Sequence, residues 1–297
     1  MTFYELYKKI DSLYPKSLSC EWDNDGIMCM SNPDNRVKKV LISLDITEDV
    51  VDFAIKECFD TIISHHPLVF KSQKSLSIEN YTQRKLIKLI KANINVMSFH
   101  TRLDAGNGGV NDTLCKALGY NDAIIDEIDP IGRIFTLNEA KSLSAFANEV
   151  KEKLSSPCVQ YSGNKDVKKV YVVGGDGKDL IDAALANGAD TLLTGRASYN
   201  TMVDAKDMGI NIIEAGHFYT ENPVCSTIEN IVLDLDSTVK THKYFSNNIE
   251  IIKTFEKNFP TTSGCCARCS KLLPCRSPAL REVFLAFSWD KVYNIYT

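Results

Sequence analysis

The chain has 297 residues and a formal net charge of -4 at pH 7, so it offers no basic field for nucleic acid. Its hydrophobic fraction of 44% and charged fraction of 24% are ordinary for a globular protein. No apolar run approaches the roughly 20 residues that a membrane span requires. The composition therefore argues against a membrane protein and against nucleic acid as a partner.

The chain contains ten cysteines, most of them scattered without the spacing of a disulfide framework. Its first residues also lack the apolar segment of a signal peptide. We therefore expect a cytoplasmic protein with free thiols. A cluster near the end consists of Cys265, Cys266, Cys269 and Cys275. Cys266 and Cys269 have half of a zinc-knuckle spacing, and the alternative is a tail outside the core fold.

Hydrophobic periodicity and turn signals predict alternating helices and strands in the first half of the chain. Thr2 and Glu5 form a capping-box pattern that opens a helix, and Pro15 ends this helix. The elements that follow are a strand at 39–44, a helix capped by Thr47, a strand at 61–64, a helix at 82–92, a strand ending before His100 and a helix at 110–118. This order predicts βαβ units and a parallel sheet.

A second cycle of elements follows a short strand at 133–137 and an amphipathic helix at 140–154. It consists of a strand at 169–173, a helix at 180–187, a strand at 191–193, a helix at 201–208, a strand at 210–214 and a helix from 223. We therefore predict an α/β protein of two lobes with mostly parallel sheets. The expected boundaries are 1–125 for the N-terminal lobe, 126–253 for a bridging segment and the C-terminal lobe, and 254–297 for the tail.

Four of the five histidines lie in three short blocks, each after an apolar run that predicts a strand. The blocks are Ser64-His65-His66-Pro67, His100 to Asp104, and Gly216-His217 to Glu221. Open α/β sheets bind ligands at the carboxyl ends of their strands, so we expect the blocks to meet in the cleft between the lobes. A single histidine at a strand end is usually a loop residue, but this combination with carboxylates predicts a metal site.

The spacing within the blocks favours two ions over one. His65 and His66 are neighbours, and in an extended chain their side chains point to opposite faces. Asp104 and Glu221 each follow a histidine by four residues, so a helical turn would place each pair on one face. A carboxylate can bridge two cations, and mixed nitrogen and oxygen donors suit zinc, iron, manganese or nickel.

Two further segments leave alternatives open. Residues 173–178 form a glycine-rich turn that could cradle a phosphate, although it matches neither common phosphate-binding pattern. The alternative, a tight turn that allows close packing, is favoured. Residues 22–26, Trp-Asp-Asn-Asp-Gly, predict a polar turn that is either a capped loop or a rim facing a substrate.

Together these motifs resemble the GTP cyclohydrolase I type 2 homologue family, also called the NGG-one-interacting-factor-three-like family of dinuclear metal-centre proteins. The likeness spans about residues 2 to 253, and Arg196 departs from it because the family usually has an acidic residue there. The resemblance implies a homohexamer with two divalent ions per chain in the interlobe cleft. By position, it implies that His66 and Asp104 bind one ion, that His65 and His217 bind the other, that Glu221 bridges both, and that His100 lies beside them.

The resemblance also implies a function, that of a metal-dependent hydrolase acting on a small molecule such as a nucleotide. In such an enzyme a metal-bound hydroxide attacks a carbon of a purine or cyclic amide, and His100 is the catalytic residue that shuttles protons. The alternative is a metal-stabilised hexameric scaffold or regulator that binds a partner protein. An open metal position would favour the hydrolase, and a site filled by protein ligands would favour the scaffold.

The implied assembly can be measured directly. Light scattering of the purified protein should give about six times the chain mass of 33.2 kDa. A monomer at micromolar concentration would contradict this prediction.

Overall fold

The computed structural model describes residues 1–251. Met1–Ile251 form one compact unit that contains both predicted lobes. The cysteine cluster and the predicted tail at 254–297 lie outside the described residues.

Helices and strands alternate along this range. The α-helices are α1 (Phe3–Leu13), α2 (Glu48–Lys56), α3 (Tyr81–Lys91), α4 (Thr101–Ala105), α5 (Val110–Ala117), α6 (Leu143–Lys153), α7 (Ile181–Ala186), α8 (Tyr199–Met208), α9 (His217–Glu221) and α10 (Val224–Leu235). The strands are β1 (Gly26–Cys29), β2 (Lys39–Ser43), β3 (Thr61–Ser64), β4 (Asn95–Ser98), β5 (Ile124–Ile125), β6 (Arg133–Lys141), β7 (Gln160–Ser162), β8 (Val167–Asp176), β9 (Thr191–Arg196), β10 (Asn211–Glu214) and β11 (Lys240–Tyr244).

The helices and strands of both predicted cycles are present, with small shifts at their ends. The capping box is present as well. The Glu5 amide donates to the Thr2 hydroxyl at 3.2 Å, and the Thr2 amide donates to the Glu5 carboxylate at 2.8 Å. The short elements β1, β5, β7, α4 and α9 are not predicted as elements, because two to five residues are too few to show a period.

The strands of the described range form two sheets, each with a parallel centre. The first sheet has the order β1-β4-β3-β2-β11, and here β1 runs antiparallel to β4 while the other pairs are parallel. The second has the order β5-β6-β8-β9-β10-β7, in which β8, β9 and β10 are parallel and the outer strands are antiparallel. The predicted α/β fold with mostly parallel sheets is confirmed.

Each sheet is covered by helices on both faces. On the first sheet, α1 and α10 pack on the face that carries Val40 and Ile42, while α2 and α3 pack on the face that carries Leu41. The second sheet is covered by α5 and α6 on one face and by α7 and α8 on the other. Neighbouring strand residues point to opposite faces, so the apolar runs of the central strands fill two cores at once.

The structure differs from the predicted boundaries in one part of the chain. Sequence reasoning places all of 126–253 in the bridging segment and second lobe. In the structure α10 packs on the first sheet, and β11 pairs in parallel with β2 from Lys240 to Tyr244. The sequence of β11, Lys-Thr-His-Lys-Tyr, is mostly polar, so no hydrophobic pattern marks it as a strand of either sheet.

A buried ion pair fastens the loop after α1 to the start of α4. The Arg102 side chain is fully buried, and its Nε and Nη2 both donate to the Asp25 carboxylate at 2.9 Å. Its Nη1 donates to Asp11 at 2.7 Å and to the Tyr14 carbonyl at 3.0 Å. This guanidinium therefore holds residues 22–26 against the strand-end residue His100 and the helix that follows it.

Replacing Arg102 with leucine should lower the free energy of unfolding by about 3 kcal/mol, because the Asp25 carboxylate loses its buried partner. Urea denaturation measures this loss. The matched control is Lys16→Met, since Lys16 pairs with the same carboxylate but is half-exposed. That variant should lose less than about 1 kcal/mol. Equal losses in both variants would show that burial of the pair is not what stabilises the turn.

Candidate metal centre

The ends of parallel strands from both sheets deliver the three histidine blocks to one place. His65 and His66 follow β3, His100 follows β4, and His217 follows β10. The blocks after β4 and β10 run into the short helices α4 and α9, which supply the helical turn that would place residues four apart on one face. Within α9, the His217 Nε2 lies 2.9 Å from the Glu221 carboxylate.

The donor atoms form two triads that share Glu221, and a third group of His65, His66 and His100 also lies close enough to hold a metal ion. In the first, the His65 Nε2 lies 3.6 Å from the Asp104 carboxylate and 3.9 Å from the Glu221 Oε1. In the second, the Nε2 atoms of His66 and His217 lie 3.0 Å and 2.9 Å from the Glu221 Oε2. Within each triad the donor atoms are all within 4.8 Å of one another. Glu221 is therefore placed where one carboxylate could serve two cations.

The pairing of the histidines differs from the one that the resemblance implies. The resemblance places His66 with Asp104 and His65 with His217. In the structure His65 lies with Asp104, and His66 lies with His217 at 3.3 Å between their Nε2 atoms. The rings of His65 and His66 do not diverge fully, since their centroids are 5.0 Å apart and both face the same cluster.

Three buried atoms of this cluster that could bind a metal ion have no hydrogen-bond partner among the described residues. They are the His65 Nε2, the Asp104 Oδ1 and the Glu221 Oε2; the last lies 3.0 Å and 2.9 Å from the Nε2 atoms of His66 and His217, but neither contact has hydrogen-bond geometry. Leaving a buried polar atom without a partner costs about 1–3 kcal/mol, and more for a charged group. Divalent cations bound in the two triads would satisfy all three atoms, so the residues fit metal ions better than a purely structural role.

Acceptors on the far side of the rings orient the histidines. The His65 Nδ1 lies 2.9 Å from the Phe99 carbonyl, and the His66 Nδ1 lies 2.7 Å from the Asp45 carboxylate. Since a carbonyl or carboxylate accepts, each Nδ1 carries a proton, so in the neutral ring the Nε2 presents its lone pair to the cluster. Such hydrogen bonds fix the tautomer and ring orientation of metal-binding histidines.

The electrostatics of the cluster also attract cations. Burial raises the pKa of Asp104. Burial opposes protonation of His66, but the carboxylates of Glu221 and Asp45 outweigh it and raise the pKa of His66 to about 10. Burial would raise the pKa of Glu221, but the neighbouring His66, His217 and His65 outweigh it and hold this pKa well below the usual range. The negative charge of the carboxylates must therefore be balanced either by protons or by metal ions, so metal binding competes with protonation of these groups.

His100 lies beside both triads and is held by the Trp-Asp-Asn-Asp-Gly turn. One ring nitrogen of His100 lies within 4.8 Å of donor atoms from His65 and His66. Its Nδ1 lies 2.8 Å from the Asp23 carboxylate, which also accepts hydrogen bonds from the Thr101 amide and hydroxyl. These hydrogen bonds outweigh burial and hold the pKa of Asp23 well below its usual range. The predicted turn is thus a capped loop that orients His100.

The glycine-rich turn packs directly against the cluster. A Cβ at Gly175, where φ is +67°, would lie 2.1 Å from the Glu221 Oε1. The Gly174 amide donates to Asn111 at 2.7 Å, and the Gly175 amide donates to the Thr220 hydroxyl at 3.1 Å. These amides are engaged within the protein, so the close-packing interpretation of this turn is the one the structure supports.

Sequence reasoning missed several residues that support the cluster. Asp45 holds His66, and Asp23 holds His100. Asp45 directly follows the predicted strand at 39–44, so its place at a strand end was a usable signal. Asn111 and Thr220 gave no such signal, since only the folded chain brings them beside the glycine-rich turn.

A cleft of about 810 Å³ opens beside the second triad. His66 and His217 line it on the cluster side. Phe70, Tyr81 and Lys85 also line it. This volume lies in the range of small-molecule sites in proteins.

The fold and the cluster define a class: a two-sheet α/β protein with a candidate metal centre at the facing strand ends. The chain belongs to the Duf34/NIF3 (NGG1p interacting factor 3) family, whose sequence pattern matches residues 1–254. The family that the motifs resemble is thereby confirmed.

Individual relatives agree with this assignment. The chain is 34% identical to a GTP cyclohydrolase 1 type 2 homolog of Clostridium perfringens, over 81% of this chain and 95% of the relative. It is 30% identical to the Protein NIF3 homolog of Schizosaccharomyces pombe, over 73% and 84%. Among solved structures, a hypothetical protein of Staphylococcus aureus superposes with a TM-score of 0.77 at 26% identity, covering 85% of this chain and 99% of that one.

Within residues 1–251, no helix combines the length and the apolar character needed to cross a membrane.

Substituting Gly175 with alanine should lower the metal content of protein purified without chelator, because the new Cβ displaces the Glu221 carboxylate. Elemental analysis measures the content. The matched control is Gly188→Ala, since Gly188 has a similar φ of +68°, and a Cβ added there would meet no described atom within 4 Å. The control carries the same backbone strain and should keep its metal. Equal metal loss in both variants would implicate backbone strain alone.

Proposed function

We propose that the protein binds two divalent metal ions per chain and acts as a metal-dependent hydrolase. The observation that carries this proposal is the set of buried donor atoms on His65, Asp104 and Glu221 that find no hydrogen-bond partner within residues 1–251. Together with His66 and His217 they form two triads that share one carboxylate.

The first ion would be held by His65, Asp104 and Glu221, and the second by His66, His217 and Glu221. The mixed nitrogen and oxygen donors suit zinc, iron, manganese or nickel. When bound, such ions supply Lewis acidity and activate water for attack on an electrophilic carbon. Three protein donors for each ion leave positions open for water or substrate, which favours catalysis over a closed structural site.

His100 would move protons in the reaction. With its Nδ1 engaged by Asp23, its Nε2 is the nitrogen free to exchange a proton with substrate. An imidazole nitrogen can both accept and donate a proton, which suits His100 to acid–base catalysis. Asp23 would act as a positioning residue that keeps the ring in one orientation.

The substrate would be a small molecule, such as a nucleotide or a cyclic amide. The cleft beside His66 and His217 has the volume for it. Relatives carry the name GTP cyclohydrolase 1 type 2 homolog, which supports a purine as the first compound to test. Assembly into a homohexamer and a cytoplasmic location remain part of this proposal.

A second candidate function is that of a metal-stabilised scaffold or regulator that binds a partner protein. The description of the family as an NGG1p interacting factor favours this alternative. Turnover separates the two. Metal-loaded protein that hydrolyses none of GTP, other nucleotides and cyclic amides would favour the scaffold.

Protein purified without chelator should contain close to two equivalents of metal per chain, and Glu221→Ala should lose both, because both triads share this carboxylate. The control is Glu229→Gln, since Glu229 pairs with Lys243 and belongs to neither triad. That variant should retain the full metal content. Retention of one full equivalent by Glu221→Ala would contradict a shared carboxylate.

His100→Ala should keep near-normal metal content while turnover falls by about 10²–10⁴-fold, the usual effect of losing one acid–base group. His66→Ala should instead lose metal and turnover together, because His66 belongs to a triad. Metal analysis and turnover assays on the same preparations test both expectations. Equal metal loss in the two variants would make His100 a sixth ligand.

A further inference from the structure

Three aromatic rings meet above the cluster on the side of His100. The Trp22 and Phe70 ring centroids are 6.1 Å apart, and each lies near the His100 ring, at 6.1 Å and 6.4 Å. The angles between the three ring planes lie between 58° and 79°. None of these three rings therefore stacks face to face on another, and together they form a cup, which we call the aromatic cup.

The aromatic cup is unusually exposed for large apolar side chains. Trp22 is 64% exposed and Phe70 is 47% exposed. A hydrogen bond from the Asn24 side-chain amide to the Val69 carbonyl ties together the two loops that carry these rings. The Asp23 contacts with His100 and Thr101 tie the Trp22 loop to α4. The loops that carry the exposed rings are thus held in place by these hydrogen bonds rather than by burial of the rings.

The aromatic cup is continuous with the candidate metal centre and its cleft. His100 forms its floor, and a ring nitrogen of His100 lies within 4.8 Å of donor atoms from His65 and His66. Phe70 also lines the 810 Å³ cleft that His66 and His217 reach. An occupant of the cup would therefore place its atoms beside the metal donors and the proposed proton-transfer residue.

We propose that the aromatic cup is a substrate subsite in which a planar heteroaromatic ring stacks on Trp22 and Phe70. This inference rests on the proposed function, because the occupant is the reacting ring of the substrate. Trp22 and Phe70 are then specificity-determining residues that select unsaturated, planar rings. Aromatic faces bind such rings regardless of the exact base, because every base has a π-face.

The chemistry of the cup favours a ring over an aliphatic chain or a phosphate. Its walls are two neutral aromatic side chains, which carry no positive charge to bind an anion. The floor is an imidazole that can exchange a hydrogen bond with a ring nitrogen or carbonyl. A flat ring with polar edges matches both the walls and the floor.

Fluorescence tests this subsite without requiring turnover. The chain has two tryptophans, Trp22 and Trp289, and Trp289 lies outside the described residues. In a Trp289→Phe background, Trp22 is the sole reporter. Guanosine and uridine should quench its emission saturably, and 5,6-dihydrouridine, which differs from uridine only by saturation of one ring bond, should bind more weakly.

Variants measured by equilibrium dialysis complete the test. Trp22→Leu and Phe70→Leu keep an apolar side chain but remove the aromatic face, and each should weaken guanosine binding by about tenfold. The preference for uridine over 5,6-dihydrouridine should disappear with them. Tyr199→Leu is the matched control, because Tyr199 is an aromatic residue that is 81% exposed and does not line the cleft. It should bind as the wild type does.

The outcomes separate this inference from the proposed function. If metal content and turnover are as proposed but both leucine variants bind guanosine as the wild type does, the subsite is overturned. If metal binding or turnover fails while guanosine still quenches Trp22 and binds the leucine variants more weakly, the subsite stands and the hydrolase proposal falls. Trp22 emission that changes on dilution without ligand would show that a second copy of the chain covers the cup, which also overturns the inference.

Discussion

The structure depends on one buried carboxylate, that of Glu221, set among three imidazoles at the junction of two sheets. Its oxygens lie 2.9–3.9 Å from ring nitrogens of His65, His66 and His217. Such a group is costly to bury unless positive charge lies beside it. The imidazoles supply that charge when protonated, and metal ions would supply it when bound. The convergence of strand ends from both sheets is what brings these imidazoles to the carboxylate.

Around the cluster, a second layer of contacts restricts how the donors can move. The Phe99 carbonyl, Asp45 and Asp23 each fix one ring by its Nδ1. The Arg102–Asp25 pair then holds the turn that contains Asp23. A catalytic or metal site requires such outer contacts. Side chains that were free to change rotamer would lose conformational entropy on binding a metal ion, and the site would bind that ion more weakly. The turn at 22–26 therefore has two roles: it orients His100, and it presents Trp22 beside it.

The glycine-rich turn shows that one sequence pattern is compatible with two different structural roles. Glycines at a strand-to-helix turn allow close approach of the backbone, and sequence alone leaves open whether a phosphate or a side chain approaches. Here the approaching group is the Glu221 carboxylate, 2.1 Å from where a Gly175 Cβ would lie. The absence of a side chain at Gly175 thus leaves room for the Glu221 carboxylate of the candidate metal centre, and the segment belongs to the site in a way that its motif did not indicate.

The sequence by itself determined the alternation of helices and strands, because apolar periodicity and caps such as Thr2 and Thr47 act locally. It also indicated that each histidine block follows the carboxyl end of a strand, where open α/β sheets bind ligands. Only the tertiary structure decided that His65 pairs with Asp104, that β11 returns to the first sheet, and that Asp23 and Asp45 orient histidines distant in sequence. Such pairings depend on distances between segments far apart in the chain, and no local pattern encodes those distances.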